Sequence, residues 1–302
     1  SYRERLTGYY KRFNINVSAD DIIITAGGSE AVLFAFMSCL NPGDEIIIPE
    51  PAYANYMAFA ISAGAKIRTI ATTIEEGFSL PKVEKFEELI NERTRAILIC
   101  NPNNPTGYLY TRREMNQIRD LVKKYDLYLF SDEVYREYIY TGSPYISACH
   151  LEGIEDNVIL IDSVSKRYSA CGARIGCIIS KNKELSKQVI KCCQARLCSP
   201  ILEQVGAAAL YTTPASYLEE VNKEYKKRRD TIVAALKKLP GVKASDPKGA
   251  FYIMVNMPVD DAEKFAIWTL ENFAIDGETV MFAPGNGFYN TPGSGINEAR
   301  LA

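Results

Sequence analysis

The sequence predicts an α/β protein, with a mainly parallel sheet covered by helices and a smaller α+β C-terminal domain. Three observations carry this reading. Seven short β-type runs occur before residue 181, and most are continuously apolar, as in strands buried on both faces. Segments of helical period separate most of them, the pattern of strand–helix–strand units. From about residue 200 the texture changes to one long charged amphipathic helix and a short mixed segment.

The elements follow in order. "DIIIT" (21–25) leads through "AGGSE" into the helical "AVLFAFMSCL". "EIIIP" (45–49) precedes "YANYMAFAISAG", and "KIRTIAT" (66–72) precedes "KVEKFEELI". "RAILIC" (95–100) ends in "NPNNPTG", after which "TRREMNQIRDLVKKYD" opens with a capping box from Thr111 to Glu114. "LYLFSDEVY" (127–135), "NVILIDSVS" (157–165) and "RIGCIIS" (174–180) complete the strands. The long helix covers "SYLEEVNKEYKKRRDTIVAALKKL" (216–239). Beyond it lie "KASDPKGAFYIMVNM", a helix "DAEKFAIWTLENF", "TVMFAPG", and a strand start at "NEARLA". The expected division is a large domain over 1–213, then the linking helix and part of a small domain over 214–302. The chain opens at Ser1 without a methionine, so both natural termini are expected to lie beyond it.

The 302 residues carry a net charge of −2 and are 47% hydrophobic, enough for one large α/β domain with a sizeable core. No apolar run is long enough to span a membrane, and no basic block points to nucleic acid. Eight scattered cysteines without a CxxC pair argue against a zinc site. They fit reduced thiols in the cytoplasm better than a disulfide framework. The single histidine, His150 in "SACHLEG", reads as a surface or packing residue. General base work then falls to another group, and a lysine of lowered pKa is the candidate.

In open parallel sheets, ligands bind beyond the carboxyl ends of the strands. Unusual polar groups stand there in this chain: Gly27-Gly28-Ser29, Asn101 to Gly107, Asp132 with Tyr135, and Ser163 to Lys166. Each has an ordinary reading when taken alone. The glycine turn is a plain strand-to-helix connection, Lys166 a snorkelling surface lysine, and Tyr53 a core aromatic. Together they change meaning. A glycine turn at a helix N-terminus, with Ser163 and Arg174, suits a phosphate. Asp132 is a carboxylate in want of a cation. Lys166 is an amine on the same rim. Pyridoxal phosphate needs all of these at once: phosphate donors, a lysine for its aldehyde, and an acid for its ring nitrogen.

The succession "NPNNPTG", "SDEVY", "SVSKRYSACGARIG" resembles the fold-type-I pyridoxal-phosphate-dependent aminotransferases of class I/II, the aspartate-aminotransferase-like group, over essentially the whole chain. The resemblance implies that Lys166 is the Schiff-base lysine and that Asp132 faces the pyridine nitrogen. It implies that Tyr135 and Asn104 hydrogen-bond the phenolic oxygen, and that Gly28, Ser29, Ser163 and Arg174 form the phosphate cup. Tyr53 matches the aromatic stacked on the ring. Arg300 matches the arginine that pairs with the substrate carboxylate, which Asn104 also holds. A surface arginine is the other reading of Arg300. Arg136 and Arg196 stay open between specificity residues and surface charges. Ser165, Ser169 and Cys171 are expected to pack or hydrogen-bond locally.

The implied activity is ping-pong transfer of an amino group from a small, aspartate-like amino acid to a 2-oxo acid such as 2-oxoglutarate. A homodimer is also implied. The family's N-terminal segment, which covers the substrate, has no counterpart here, nor does the end of its small domain. Two alternatives share the motifs: a carbon–sulfur β-lyase, and a ligand-sensing domain of a transcription regulator.

Overall fold

In the computed structural model, which describes residues 1–142 and 144–302, α1 (Tyr2–Lys11) leads to β1 (Ile22–Thr25). Helices and strands then alternate as α2 (Gly28–Cys39), β2 (Glu45–Glu50), α3 (Asn55–Ser62), β3 (Lys66–Ala71), α4 (Val83–Glu87), β4 (Thr94–Cys100), α5 (Arg112–Tyr125) and β5 (Tyr128–Asp132). After them come β6 (Val158–Ser163), α6 (Val164–Arg167), β7 (Gly176–Ile179), α7 (Lys183–Arg196), α8 (Ile201–Leu210) and α9 (Ala215–Leu236). The chain closes with β8 (Lys243–Ala244), β9 (Ile253–Asn256), α10 (Ala262–Asn272), β10 (Ala283–Pro284) and β11 (Glu298–Leu301).

The seven expected strands form one sheet, in the order β1-β7-β6-β5-β4-β2-β3. Every pairing is parallel except the two made by β7, which runs against both β1 and β6. The segment joining β6 to β7 holds only the four-residue α6 and a 3-10 turn. It returns the chain beside its own strand instead of carrying it across the sheet. A second, antiparallel sheet follows in the order β10-β11-β9-β8.

Both faces of the large sheet are covered, and strand alternation shows how. Ile46, Ile48, Leu98, Phe130 and Ile161 pack toward α2 and α3. Their neighbours Ile47, Ile97, Ile99 and Leu129 pack toward Met115, Ile118, Leu121 and Val122 of α5. Period-2 side chains thus feed two cores from one strand set. Each such aliphatic or aromatic side chain contributes about 1.5–3 kcal/mol by leaving water. A third core seats α1 on Leu160, Cys177 and Ile179. The capping box of α5 forms as expected, with Thr111 N–H donating to Glu114 Oε2 at 2.8 Å and Glu114 N–H to Thr111 Oγ1 at 3.2 Å.

Three runs end earlier than their apolar pattern. β5 stops at Asp132, whose Oδ1 accepts from Val134 N–H at 3.2 Å and turns the chain. β6 stops at Ser163, whose Oγ accepts from Ser165 N–H at 3.1 Å and caps α6. "TVMFAPG" yields only the two residues of β10, because only Ala283 and Pro284 find partners, on β11. Among the described residues no helix is long and apolar enough to cross a membrane, and all eight cysteines are unpaired.

Candidate active site

Strand register sets four strand ends in one row. Thr25 and Ser163 both lie opposite Gly176, Asp132 opposite Ile161, and Cys100 opposite Asp132. Over this row opens a cavity of about 300 Å³. It is lined by Gly28, Ser29, Tyr53, Asn104, Asp132, Tyr135, Ser163, Lys166, Arg174 and Arg300. All ten site residues expected from the sequence therefore share one enclosure.

One end is built for an anion. Gly27, at φ +87°, turns β1 into α2. The first N–H groups of α2 have no partner inside the helix, and its dipole puts positive potential there. Arg174 borders the same end, with Nη1 donating to the Cys171 carbonyl at 2.8 Å. The approach is so close that a Cβ on Gly27 would lie 2.2 Å from Arg174 Nη2. A Cβ on Gly176 would lie 2.5 Å from the Gly27 carbonyl carbon. Two glycines are what let β7, the turn and the guanidinium meet. The Ser163 and Ser165 hydroxyls lie 2.7 Å apart at the cavity wall.

Lys166 rides on α6, where its carbonyl accepts from Tyr138 Oη at 2.7 Å. Its Nζ stands 5.9 Å from the Tyr135 ring centroid. Asp132 accepts from Tyr56 Oη at 2.5 Å. Burial pushes its carboxyl up to about 6; Asp162 and Glu133 add to the rise, while the Tyr56 and Val134 hydrogen bonds oppose it. Arg300 donates from Nη1 to Asn104 Oδ1 at 3.0 Å, and its guanidinium lies 4.4 Å from the Tyr252 ring centroid. Its Nε is buried with no partner.

Charge decides what such a cavity can take. Three cations and one carboxylate line it, yet among the described residues none of the four is in an ion pair. A buried carboxylate without a cation is costly, so Asp132 stands as a complement to a cationic atom of a ligand. Arg174 with the helix N-terminus and Arg300 with its unpartnered Nε complement two anionic groups. Pyridoxal phosphate with an amino acid offers that set, and these residues fit it.

The sequence reading missed seven lining residues: Val32, Tyr56, Cys100, Val134, Ser165, Cys171 and Tyr252. Ser165 and Cys171 bond locally, Ser165 to the Ser163 hydroxyl and the Cys171 carbonyl to Arg174 Nη1, and they line the cavity as well. Ser169 does not line it. Arg136 is no surface charge. It is fully buried, 2.9 Å from Glu133 and 3.1 Å from Asp162, and Arg167 joins Asp162 at 2.5 Å. Burial works against the Asp162 charge, but Arg167 and Arg136 outweigh it and hold the carboxyl below its usual range. The i, i+3 spacing of Glu133 and Arg136 was the available signal. Arg196 pairs with Glu30 at 2.9 Å. His150 bonds Phe13 O at 2.8 Å and takes Ser147 N–H at 3.2 Å, a packing role.

The fold and cavity bring a lysine, a carboxylate and a helix N-terminus together beyond the carboxyl ends of a mainly parallel sheet, the place where α/β enzymes bind their ligands. The model of the family "Aminotransferase class I and II" matches residues 1–295. The aspartate aminotransferase of Pyrococcus horikoshii is 35% identical over 293 residues, 95% of this chain and 72% of that protein. The crystal structure of the Thermotoga maritima aspartate aminotransferase superposes with a TM-score of 0.89 at 31% identity, covering 100% of this chain and 76% of that one. An alanine aminotransferase from Pyrococcus furiosus gives a TM-score of 0.90 at 32% identity, with the same coverage. The chain belongs to the class I and II aminotransferases, a pyridoxal-phosphate-dependent family, and is a transaminase.

Proposed function

We propose that the protein moves an amino group from a small, aspartate-like amino acid to a 2-oxo acid such as 2-oxoglutarate, with pyridoxal 5′-phosphate held at Lys166. The observation that carries this is that Lys166 lines one cavity together with a helix N-terminus, Arg174 and an unpaired buried carboxylate. When bound, the cofactor supplies an electron-accepting ring that lets the Cα–H of an amino acid leave as a proton. The chain does the rest. The N-terminal amides of α2, Ser29, Ser163 and Arg174 bind the phosphate. Asp132 pairs with the ring nitrogen and keeps it protonated. Tyr135 and Asn104 hydrogen-bond the phenolic oxygen, and Tyr53 covers the ring face. Arg300 holds the substrate α-carboxylate in a fork, so that Cα–H faces Lys166. Lys166 Nζ would take that proton as the base of the cavity and give it back later in the reaction.

The division at residues 213 and 214 belongs to the same reading: Pro214 opens α9, which runs on to the small antiparallel sheet. So does a homodimer. α8 leaves Ile201, Leu202 and Val205 exposed beside an exposed Leu197, and an apolar row of that kind marks an interaction face.

The aspartate reading draws support from the two aspartate aminotransferases named above. A panel of amino donors and oxo acids on protein loaded with pyridoxal phosphate tests it. L-aspartate with 2-oxoglutarate is expected to give oxaloacetate and L-glutamate in equal amounts, with no ammonia. Pyruvate and ammonia from a sulfur amino acid without an acceptor would establish a β-lyase instead. Binding of the cofactor and amino acid with no product would establish a sensor.

A further inference from the structure

Tyr252 lies at the end of the short approach to β9 and reaches into the cavity. It touches both halves of the site. Its Oη is 2.8 Å from Tyr135 Oη. Its ring lies under the Arg300 guanidinium at 4.4 Å, with Phe288 at 4.9 Å on the same cation. The hydroxyl and the ring face thus serve different neighbours.

A pair of phenols shares one hydrogen bond, so one donates and the other is left with its own proton free. The more acidic phenol donates. Tyr252 has the Arg300 charge 4.4 Å from its ring centroid, whereas Tyr135 has Lys166 farther off at 5.9 Å, is flanked by Phe251 and Tyr252 and is almost fully buried. Burial pushes both phenols up, Tyr135 much further, while Arg300 and the Tyr135 contact pull Tyr252 back down. Donation by Tyr252 makes Tyr135 the stronger donor to anything on its cavity side. The ring has a separate effect. A guanidinium on an aromatic face keeps its N–H edge free for a carboxylate, and Asn104 takes only one N–H.

We infer that Tyr252 is a positioning residue with two separable roles: its hydroxyl donates to Tyr135, leaving the Tyr135 proton for the cavity, and its ring face holds Arg300 ready for a carboxylate. This rests on the reading that Tyr135 acts on the cofactor and Arg300 on the substrate.

Two variants separate the roles. Tyr252→Phe removes one oxygen and keeps the ring; Tyr252→Leu removes both functions. Each is loaded with pyridoxal phosphate, and its visible absorbance is titrated against pH. KM and kcat are then measured for L-aspartate, or for the donor that the wild type accepts best. In Tyr252→Phe the spectral midpoint is expected to rise by about half to one pH unit, since Tyr135 becomes a poorer donor, with KM within about twofold. In Tyr252→Leu the same rise is expected together with a KM increase of about five- to tenfold. A Tyr252→Phe midpoint equal to wild type overturns the hydroxyl role, as does a fall. A Tyr252→Leu KM equal to that of Tyr252→Phe overturns the ring role. A wild type that shows no visible band with the cofactor overturns the underlying reading as well, and is told apart by the wild-type titration alone.

Discussion

Replacing Lys166 with alanine is expected to reduce transaminase turnover by at least about 10⁴-fold, the full range of a general base together with loss of the covalent anchor. The expectation follows from the cavity. Of its three cations, Lys166 alone is an amine, the group that can form a Schiff base and carry a proton, whereas Arg174 and Arg300 are guanidiniums. No histidine is available, because His150 is committed to Phe13 and Ser147. The anion cup does not involve the Lys166 side chain, so Lys166→Ala is expected to keep binding pyridoxal phosphate without a covalent link. Equilibrium dialysis gives that binding, and a coupled assay gives the turnover. Retention of full transamination by Lys166→Ala would refute the mechanism.

Replacing Asp132 with asparagine is expected to move activity and stability in opposite directions. In the cofactor-free protein, burial pushes the Asp132 carboxyl from 3.8 up to about 6. A carboxyl raised in this way opposes folding wherever it is charged in the unfolded chain yet reluctant to ionise in the folded one. Below about pH 4 both states hold the proton and the opposition vanishes. It grows as pH rises from about 4 to 6 and is constant above, on the order of 2–3 kcal/mol. Asparagine keeps an oxygen for the Val134 N–H, turns an amide N–H toward the Tyr56 hydroxyl, which can accept it, and carries no charge. Urea unfolding of Asp132→Asn without cofactor is therefore expected to show a gain of about 2 kcal/mol at pH 7.5 that fades by about pH 4. Cofactor affinity or turnover is expected to fall by about 10²- to 10³-fold, because a buried ion pair loses one partner. An unchanged stability at pH 7.5 would contradict the unpaired state of the carboxylate; an unchanged activity would contradict its role.

The legible part of this molecule was what one strand or one turn determines. Apolar β-type runs placed all seven strands of the large sheet; most are continuous, since a strand buried on both faces has no room for polar residues, while the edge strand β3 keeps Lys66, Arg68 and Thr69. The strand-end rule then gathered Gly28, Ser29, Asn104, Asp132, Tyr135, Ser163 and Lys166, with Arg174 beside them, before any distance was known. Tyr53 and Arg300 needed the family resemblance, because nothing in their local pattern sets them apart from a core aromatic or a surface arginine. What stayed hidden depends on contacts distant in sequence. Tyr252 meets Tyr135 across 117 positions, and Tyr10 bonds Asp162 across 152. The burial of Arg136 and Arg167 was invisible because arginine reads as exposed until two carboxylates, Glu133 and Asp162, are brought beneath the same sheet face. The antiparallel run of β7 was hidden for another reason: an apolar tetrapeptide carries no sign of its direction.

The account turns on where the cofactor is held. Reduction of the protein with borohydride in the presence of pyridoxal phosphate, followed by proteolysis and mass spectrometry, locates it directly. A single modified peptide bearing the pyridoxyl group on Lys166 is the predicted result; a label on any other lysine, with Lys166 unmodified, would contradict it.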